Sequence, residues 1–232
     1  MRLKLQTHDF DIKHFGGWDR FSELMHGFYV SEPWFFGYKC PQCDQDDFTI
    51  VNNPKTEGVC HQCLSALDSF FSLERTKKYI AAMQGFHGRL ATTQDGKLVG
   101  WIMGCEENLN DLNETLPPTV GFNIGYICVL PEFRIQTARL EKIRQLVAIG
   151  VFKRIIPHFI SSFIFYILGD SPVIKLHTDF INELRTLNYK YISSKISNTQ
   201  PHLEKFTRYT GYKKIGPWKH DTIKNIWIKK IA

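Results

Sequence analysis

Hydrophobic and polar residues alternate with a period of two in several segments, which predicts β-strands. In residues 89–105, two alternating runs flank the turn at residues 94–97, a pattern typical of a β-hairpin. A third run, residues 120–129, comes just before Pro131. By the same pattern we predict strands at residues 2–6, 189–197, 212–219 and 222–231, the last two forming a final hairpin.

Elsewhere, apolar residues recur at spacings of three and four, which predicts amphipathic helices. Trp18, Phe21, Met25 and Phe28 place one helix over residues 17–28. The same criterion predicts three further helices, at residues 134–154, 175–188 and 201–210, and the polar residues 108–118 are predicted to be a loop. Strands and helices in this order predict an α/β fold, a mixed sheet flanked by helices on both faces.

Four of the six cysteines form two C-x-x-C pairs, Cys40 with Cys43 and Cys60 with Cys63, and sixteen residues separate the pairs. Such pairs on two tight turns supply the four thiolates of a tetrahedral zinc site. Four protein ligands leave no open coordination position, so the zinc is expected to be structural. Disulfides are the alternative, which a reducing compartment disfavours. His61, inside the second pair, could replace a cysteine as ligand, but the four thiols already fill the site.

Composition indicates a folded protein without an export signal. Of its 232 residues, 43% are hydrophobic and 22% are charged, enough for one domain with a small accessory module. The first seventeen residues contain no continuous apolar stretch, and the longest apolar run, residues 159–168, is about half of a membrane span. We therefore expect a cytoplasmic location and no membrane span.

Positive charge is concentrated at two places. The formal net charge is +6, and residues 203–232 carry eight Lys or Arg against two Asp or Glu. Residues 134–154 carry six Lys or Arg and one Glu. Concentrated positive charge favours a polyanion, either nucleic acid or the phosphates of a cofactor. Solvated faces of a helix and a hairpin are the alternative explanation.

Residues 127–134 read Ile-Cys-Val-Leu-Pro-Glu-Phe-Arg, which resembles the strand-to-helix junction of the GNAT superfamily of N-acyltransferases. Three more segments are similar to that family in order and type: the hairpin at residues 95–102, the strand from residue 191 with its following helix, and the turn at residues 209–216. The resemblance implies a GNAT-like sheet, with the cysteine module inserted in it. It predicts a discontinuous acyltransferase domain over residues 1–37 and 69–232, and a zinc ribbon over residues 38–68.

The resemblance also implies a co-substrate, acetyl-CoA or another acyl-CoA. The end of the third strand and the following helix N-terminus would hold it, because free N–H groups and a positive dipole end bind phosphate. The cofactor-binding candidates are Val129, Leu130, Arg134, Ile135, Gln136, Thr137, Ala138 and Arg139. The N–H groups near Val129 and Leu130 would polarise the thioester carbonyl. The loop after Arg134 has none of the glycines usual in the family.

For catalysis, the resemblance implies direct attack of an amine on the thioester. Thr207 stands where the family usually has its acidic tyrosine, and Tyr209 is the nearby candidate. Glu106 and Glu107, at the end of the second strand of the first hairpin, are candidates for accepting the amine proton. The rival hypothesis is a nucleic-acid-binding module on a GNAT-like scaffold. This module would bind its partner through the cysteine ribbon and the basic C-terminal hairpin. The absent glycines and Thr207 favour that rival.

Overall fold

The computed structural model describes residues 4–30, 36–42, 51–52, 59–60, 63–133, 171–198 and 200–232. Ten strands lie in these ranges: β1 (Leu5–Asp9), β2 (Phe36–Lys39), β3 (Val51–Asn52), β4 (Asp68–Ser69), β5 (His87–Thr93), β6 (Leu98–Asn108), β7 (Val120–Val129), β8 (Tyr191–Ser197), β9 (Lys213–Trp218) and β10 (Asp221–Lys230). The α-helices are α1 (Trp18–Val30), α2 (Leu73–Ala81), α3 (Leu109–Leu112), α4 (Pro172–Thr186) and α5 (Pro201–Tyr209).

Seven strands form the main sheet, in the order β1-β5-β6-β7-β8-β10-β9. Each neighbouring pair is antiparallel except β7 and β8, which run parallel. The mixed α/β architecture predicted from the sequence is therefore confirmed. β2, β3 and β4 form a separate small sheet in the order β3-β2-β4.

Helices cover both faces of the main sheet. On one face, α4 buries Phe180 and Leu184 against Phe122 and Ile192 of the sheet. Pro172 occupies the first turn of α4, where the missing N–H would have no partner within the helix. Asn188, with a φ of 65°, follows the C-terminal end in the left-handed conformation that commonly terminates a helix. On the other face, the helices α1 and α2 pack an aromatic cluster onto the sheet; its buried members include Phe15, Phe21, Phe28, Tyr29, Phe70, Phe71, Trp101 and Tyr126.

A β-bulge lies in the middle of β7. Met103 pairs with Tyr126 and Gly104 pairs with Ile124, so Gly125 is the extra residue. In a regular strand, residues 124 and 126 would lie on the same face of the sheet. Because of the bulge, Ile124 packs under α4, whereas Tyr126 packs under α1 and α2. A Cβ at Gly104 would collide with the Asn123 carbonyl, so glycine is needed opposite the bulge.

The predicted strands and helices agree with the structure in most places and differ in three. β1 runs over Leu5–Asp9, later than predicted, because its pairing with β5 extends from Leu5 opposite Thr93 to Asp9 opposite Arg89. The predicted loop at residues 108–118 contains α3, which the Asn108 side chain caps by accepting from the Asn110 N–H.

Helix α2 was not predicted from the sequence. It has nine residues, most of them polar, and only Thr76 and Ile80 are buried, so few apolar positions mark it in the sequence. The predicted helix over residues 134–154 and the apolar run 159–168 lie outside the described residues. None of the helices in the described ranges is both long and apolar enough to cross a membrane.

Candidate functional site

A groove opens where β7 and β8 separate. These two parallel strands pair only at Phe122 with Ile192 and Asn123 with Ser193. Ser194 Oγ then donates to the Ile124 carbonyl at 3.3 Å. β7 continues beside β6 as far as Val129, and the space on its β8 side is a cavity of about 90 Å³.

Side chains and backbone from several elements line this groove. They are Ile124, Gly125 and Ile127 of β7, Ser194, Lys195 and Ile196 of β8, Leu203, Phe206 and Thr207 of α5, and Tyr29, His177, Gln200 and Tyr212. Seven of these thirteen residues carry a polar side-chain group, but most of the exposed lining is apolar, as is usual in a small-molecule site. The lining also contains one bulge residue without a side chain, Gly125, at which backbone is exposed to the groove.

At its C-terminal end, α5 places Thr207 and Tyr209 in different surroundings. Thr207 is buried, lines the groove and donates to the carbonyls of Leu203 and Glu204 at 3.0 and 2.9 Å. Tyr209 is 42% exposed and does not line the groove. Two residues along a helix correspond to about 200° of rotation, which accounts for the difference. The proton-donor role of Tyr209 thus has no geometric support here and stays a prediction.

A buried polar pair closes the α4 side of the groove. His177 Nε2 and the Tyr212 hydroxyl lie 3.0 Å apart, and both residues are buried. Burial, with a smaller contribution from nearby Lys229, lowers the pKa of His177 to about 3. Burial also raises the pKa of Tyr212. This pair is therefore neutral over the physiological pH range.

On the α1 and α2 side, the groove ends at an ion pair. Lys195 Nζ lies 2.6 Å from Glu107 Oε1, and 4.3 Å from the ring centroid of Trp218. The side chains of Lys195 and Glu107 are 21% and 23% exposed. Within the described residues, the second carboxylate oxygen, Glu107 Oε2, is buried without a hydrogen-bond partner.

The buried Tyr29 and Tyr126 and the half-buried Tyr79 lie near this polar region. Burial raises the pKa of Tyr79 to about 12 and keeps those of Tyr29 and Tyr126 well above their usual value. Tyr79 and Tyr126 share a hydrogen bond, and the Tyr29 hydroxyl lies 3.3 Å from Cys128 Sγ. Burial, followed by the charge of Glu107, raises the pKa of Cys105 as well. All of these groups are therefore protonated at neutral pH.

The two candidate bases face opposite ways. Glu106 pairs with Phe122 across the sheet and therefore shares the α4 face, where Tyr189 donates to its Oε1 at 2.5 Å. Burial and this hydrogen bond raise the pKa of Tyr189 to about 12. Glu107 lies on the other face, in contact with Lys195, which lines the groove. Of the two carboxylates, the structure connects only Glu107 to the groove by a described contact.

At the end of β7, the N–H groups of Val129 and Leu130, both candidates for polarising the thioester carbonyl, point in different directions. The Leu130 N–H donates to the Val99 carbonyl at 2.9 Å, so it is already paired and its proposed polarising role does not fit. This bond makes Gly100 and Val129 a non-hydrogen-bonded pair, whose N–H and C=O groups point away from each other. The Val129 N–H thus points to the groove side of β7. The other cofactor-binding candidates, residues 134–139, lie outside the described residues.

Three of the four predicted zinc ligands come together beside the small sheet. The Sγ atoms of Cys40, Cys60 and Cys63 lie within 4.8 Å of one another, and those of Cys40 and Cys63 are 3.4 Å apart. A tetrahedral site with Zn–S bonds of about 2.3 Å needs sulfurs roughly 3.8 Å apart, so the spacing fits zinc. The Leu64 N–H donates to the Cys60 carbonyl at 3.0 Å, which closes the second turn. Cys43 and His61 lie outside the described residues.

The lysines of the C-terminal hairpin are partly engaged within the protein. Lys219 Nζ lies 3.6 Å from Asp111, Lys224 lies over the Trp218 ring, and Lys229 donates to the Thr210 carbonyl at 2.7 Å. Lys213, Lys214 and Lys230 are exposed. A nucleic-acid partner for this hairpin stays a prediction.

Comparisons with protein-family models and with curated proteins give no match. Solved structures do match. Ard1 from Thermoplasma volcanium is 9% identical, with a TM-score of 0.50 and 98% of each chain covered. An acetyltransferase of the GNAT family from Staphylococcus aureus Mu50 is 10% identical, with a TM-score of 0.49, and covers 99% of this chain and 100% of its own. The PaiA N-acetyltransferase of Thermoplasma acidophilum, solved with coenzyme A, is 13% identical, with a TM-score of 0.40 and 69% and 72% covered.

The main sheet and its flanking helices therefore have the GNAT fold. Sequence reasoning did not select Lys195, His177 or Tyr212, which line the groove. Lys195 stands between Ser194 and Ile196 in a run of strand residues, a signal that could have identified it as a charge placed inside the sheet. Nothing in the sequence pattern around His177 marks its contact with Tyr212, because the two lie 35 residues apart.

Proposed function

We propose that this protein is an acyl-CoA-dependent N-acyltransferase, with acetyl-CoA as its simplest donor and an unidentified amine as its acceptor. The observation that carries the proposal is the separation of β7 and β8 after two paired positions. Parallel strands that part in this way leave backbone polar groups and apolar side chains facing one narrow groove. A pantetheine arm, which alternates amides with methylene groups, matches that lining chemically.

In the proposed reaction, the acceptor amine attacks the thioester carbonyl carbon directly. A backbone N–H group at the end of β7 would polarise that carbonyl; the Leu130 N–H is not that group, since it bonds the Val99 carbonyl. Glu107 is the better candidate for accepting the amine proton, because its Oε2 has no partner among the described residues and Lys195 connects it to the groove. Glu106 faces α4, and its interaction with Tyr189 accounts for it structurally.

We also infer that Cys40, Cys60 and Cys63 hold a structural zinc ion, with Cys43 as the fourth ligand. The close approach of three thiols supports this inference. The ribbon over residues 38–68 would then be an insertion in the GNAT-like domain of residues 1–37 and 69–232. It packs against α1, where the ring centroids of His26 and Tyr38 lie 5.9 Å apart, so it is placed to influence the choice of acceptor.

Calorimetry with coenzyme A, acetyl-CoA and longer acyl-CoAs tests the proposed function. We expect binding with a Kd in the micromolar range for at least one acyl-CoA, about −8 kcal/mol. Dephospho-CoA and pantetheine serve as graded competitors that separate the contribution of the phosphates from that of the arm. No heat and no competition at millimolar ligand would remove the acyltransferase proposal.

A further inference from the structure

We propose that Lys195 is the proton donor of the groove, whose ammonium protonates the sulfur of coenzyme A as the thioester C–S bond breaks. This inference rests on the proposed function, since it assigns one step of that reaction. The inference goes beyond the proposed function because it assigns a residue of β8, Lys195, which together with Glu107 completes the proton transfers of the reaction.

The position of Lys195 is the first argument. Ser193 pairs with Asn123 on β7, so Lys195, two residues further along a parallel strand, is level with the bulge at Gly125. Both residues line the groove. An ammonium on this wall can approach a group that lies against the exposed backbone of Gly125. The ammonium itself contacts both the ring of Trp218, at 4.3 Å from its centroid, and the carboxylate of Glu107, at 2.6 Å.

The second argument is the state of the other proton-bearing groups in the groove. The pKa of His177, about 3, leaves its imidazole without an acidic proton near neutral pH. Burial makes Tyr212 and Tyr29 weaker acids than usual by raising their pKa values. Thr207 already donates its hydroxyl to backbone carbonyls. Lys195 is thus the one cationic side chain among the described residues that line the groove.

The proton and electron balance closes without a further reactant. The amine nitrogen forms a bond to the carbonyl carbon, and the electron pair of the C–S bond passes to sulfur. Lys195 gives a proton to that sulfur, while Glu107 Oε2 accepts the proton released by the amine. Transfer from Glu107 to Lys195, across their 2.6 Å contact, restores both groups for the next turnover.

Among the described residues, few other charged or titratable groups lie around Lys195. Cys105 lies on β6 and Tyr79 on α2, both close to Glu107. Lys224 of β10 lies over the same Trp218 ring, 5.4 Å from its centroid. Near neutral pH, the pKa values of Cys105 and Tyr79, both raised by burial, keep these groups uncharged, so the Lys195–Glu107 pair and Lys224 provide the local charge.

Titration of the thiol of bound coenzyme A tests this inference and needs no acceptor. The thiolate absorbs in the ultraviolet, so its formation can be followed directly in the complex. We expect the pKa of the bound thiol to be about 1 to 3 lower in the unchanged protein than in Lys195→Met, because a nearby cation stabilises the thiolate. Lys195→Arg should keep the lowered pKa, and Glu107→Gln should lower it further by removing the counter-ion.

The possible results separate the two claims. If coenzyme A binds and the pKa of its thiol is the same in the unchanged protein and Lys195→Met, Lys195 is not the donor and the acyltransferase proposal stands. If coenzyme A does not bind at all, both are overturned. Circular dichroism of each variant excludes misfolding, and Lys195→Arg supplies a conservative variant if Lys195→Met is unstable.

Discussion

The seven-stranded sheet and the three-stranded sheet of this protein are held together by different means. The large sheet encloses fully buried side chains on both faces, among them Trp101, Phe122, Phe180 and Trp227. The small sheet has strands of two to four residues, and the two buried cysteines beside it, Cys40 and Cys60, are candidate metal ligands. Apolar burial stabilises the first, whereas we propose that zinc crosslinks the second, whose strands are too short to bury much apolar surface.

This difference explains what each region can do. The large sheet has enough buried area to leave β7 and β8 unpaired over half their length, which is what opens the groove. If zinc crosslinks the small sheet as proposed, its order should follow metal occupancy. The following predictions test that contrast, beginning with the largest expected effect.

Loss of zinc should unfold the small sheet and spare the large one. Structural zinc binding contributes about 10–16 kcal/mol in comparable modules, far more than strands this short can supply. We expect one zinc per chain by elemental analysis, and its loss in Cys60→Ser. Cys105→Ser, which changes a cysteine of β6, is the matched control. Proteolysis confined to residues 38–68 after chelation would agree with this account; undiminished zinc in Cys60→Ser would contradict it.

Phe180→Ala should destabilise the large sheet and leave the small sheet and its zinc unchanged. Phe180 is fully buried, and its ring lies 5.6 Å from both His87 and Phe122. Its truncation leaves a cavity under α4 and should lower the free energy of unfolding by about 3–5 kcal/mol. Denaturant titration followed by tryptophan fluorescence measures this change. Zinc content should stay at one per chain, and a parallel loss of zinc would show that the two sheets are not independent.

Acid should destabilise the large sheet through His177. Its pKa is about 3 in the folded protein against an ordinary value of 6.5, so between these values the unfolded chain binds the extra proton. Stability from this group is therefore complete above pH 6.5 and falls as the pH decreases toward 3. Between pH 7 and pH 4.5 the loss should be about 2–3 kcal/mol.

His177→Gln should remove that part of the acid sensitivity while keeping a hydrogen-bonding group next to Tyr212. Denaturant titrations at both pH values measure it as a smaller difference between pH 7 and pH 4.5 than in the unchanged protein. The exposed His220 provides the control variant His220→Gln. Equal acid sensitivity in all three proteins would mean that His177 is not held neutral.

The smallest expected effect concerns Leu64. Its φ of 61° is left-handed, and its side chain is 76% exposed, so it gains little from packing there. Glycine adopts this conformation without the steric cost of a Cβ, about 1–2 kcal/mol. Leu64→Gly should therefore raise zinc affinity by roughly a factor of ten, measured by chelator competition. Leu187→Gly, at an exposed residue with negative φ beyond α4, should leave zinc affinity unchanged.

Local sequence signals predicted those parts of the fold whose cause is local. The hairpin of β5 and β6 follows from alternation and a turn, and β7 was placed at its observed ends. The cysteine spacing predicted which thiols would meet, and three of the four are brought together in the structure. Helix α2 was missed, because it is short and mostly polar and buries only Thr76 and Ile80.

The groove depends on relations that a sequence pattern does not contain. The bulge at Gly125 is visible only in the pairing of β6 with β7. The ion pair of Glu107 with Lys195 joins residues 88 positions apart, so neither residue reveals the other. Nothing in the sequence favoured Glu106 over Glu107. In the structure the two side chains lie on opposite faces of β6, and that difference separates them.

A side chain placed in the groove tests the central claim most directly. A Cβ on Gly125 would meet only the Met103 carbonyl, at 4.0 Å, so Gly125→Val should fold while its side chain enters the groove. Gly27→Val, on the exposed surface of α1 with nothing within 4 Å of the added Cβ, is the matched control. By calorimetry, Gly125→Val should weaken acetyl-CoA binding at least roughly tenfold, about 1.4 kcal/mol, with Gly27→Val unchanged. Equal affinity in the two variants would show that acyl-CoA does not bind between β7 and β8.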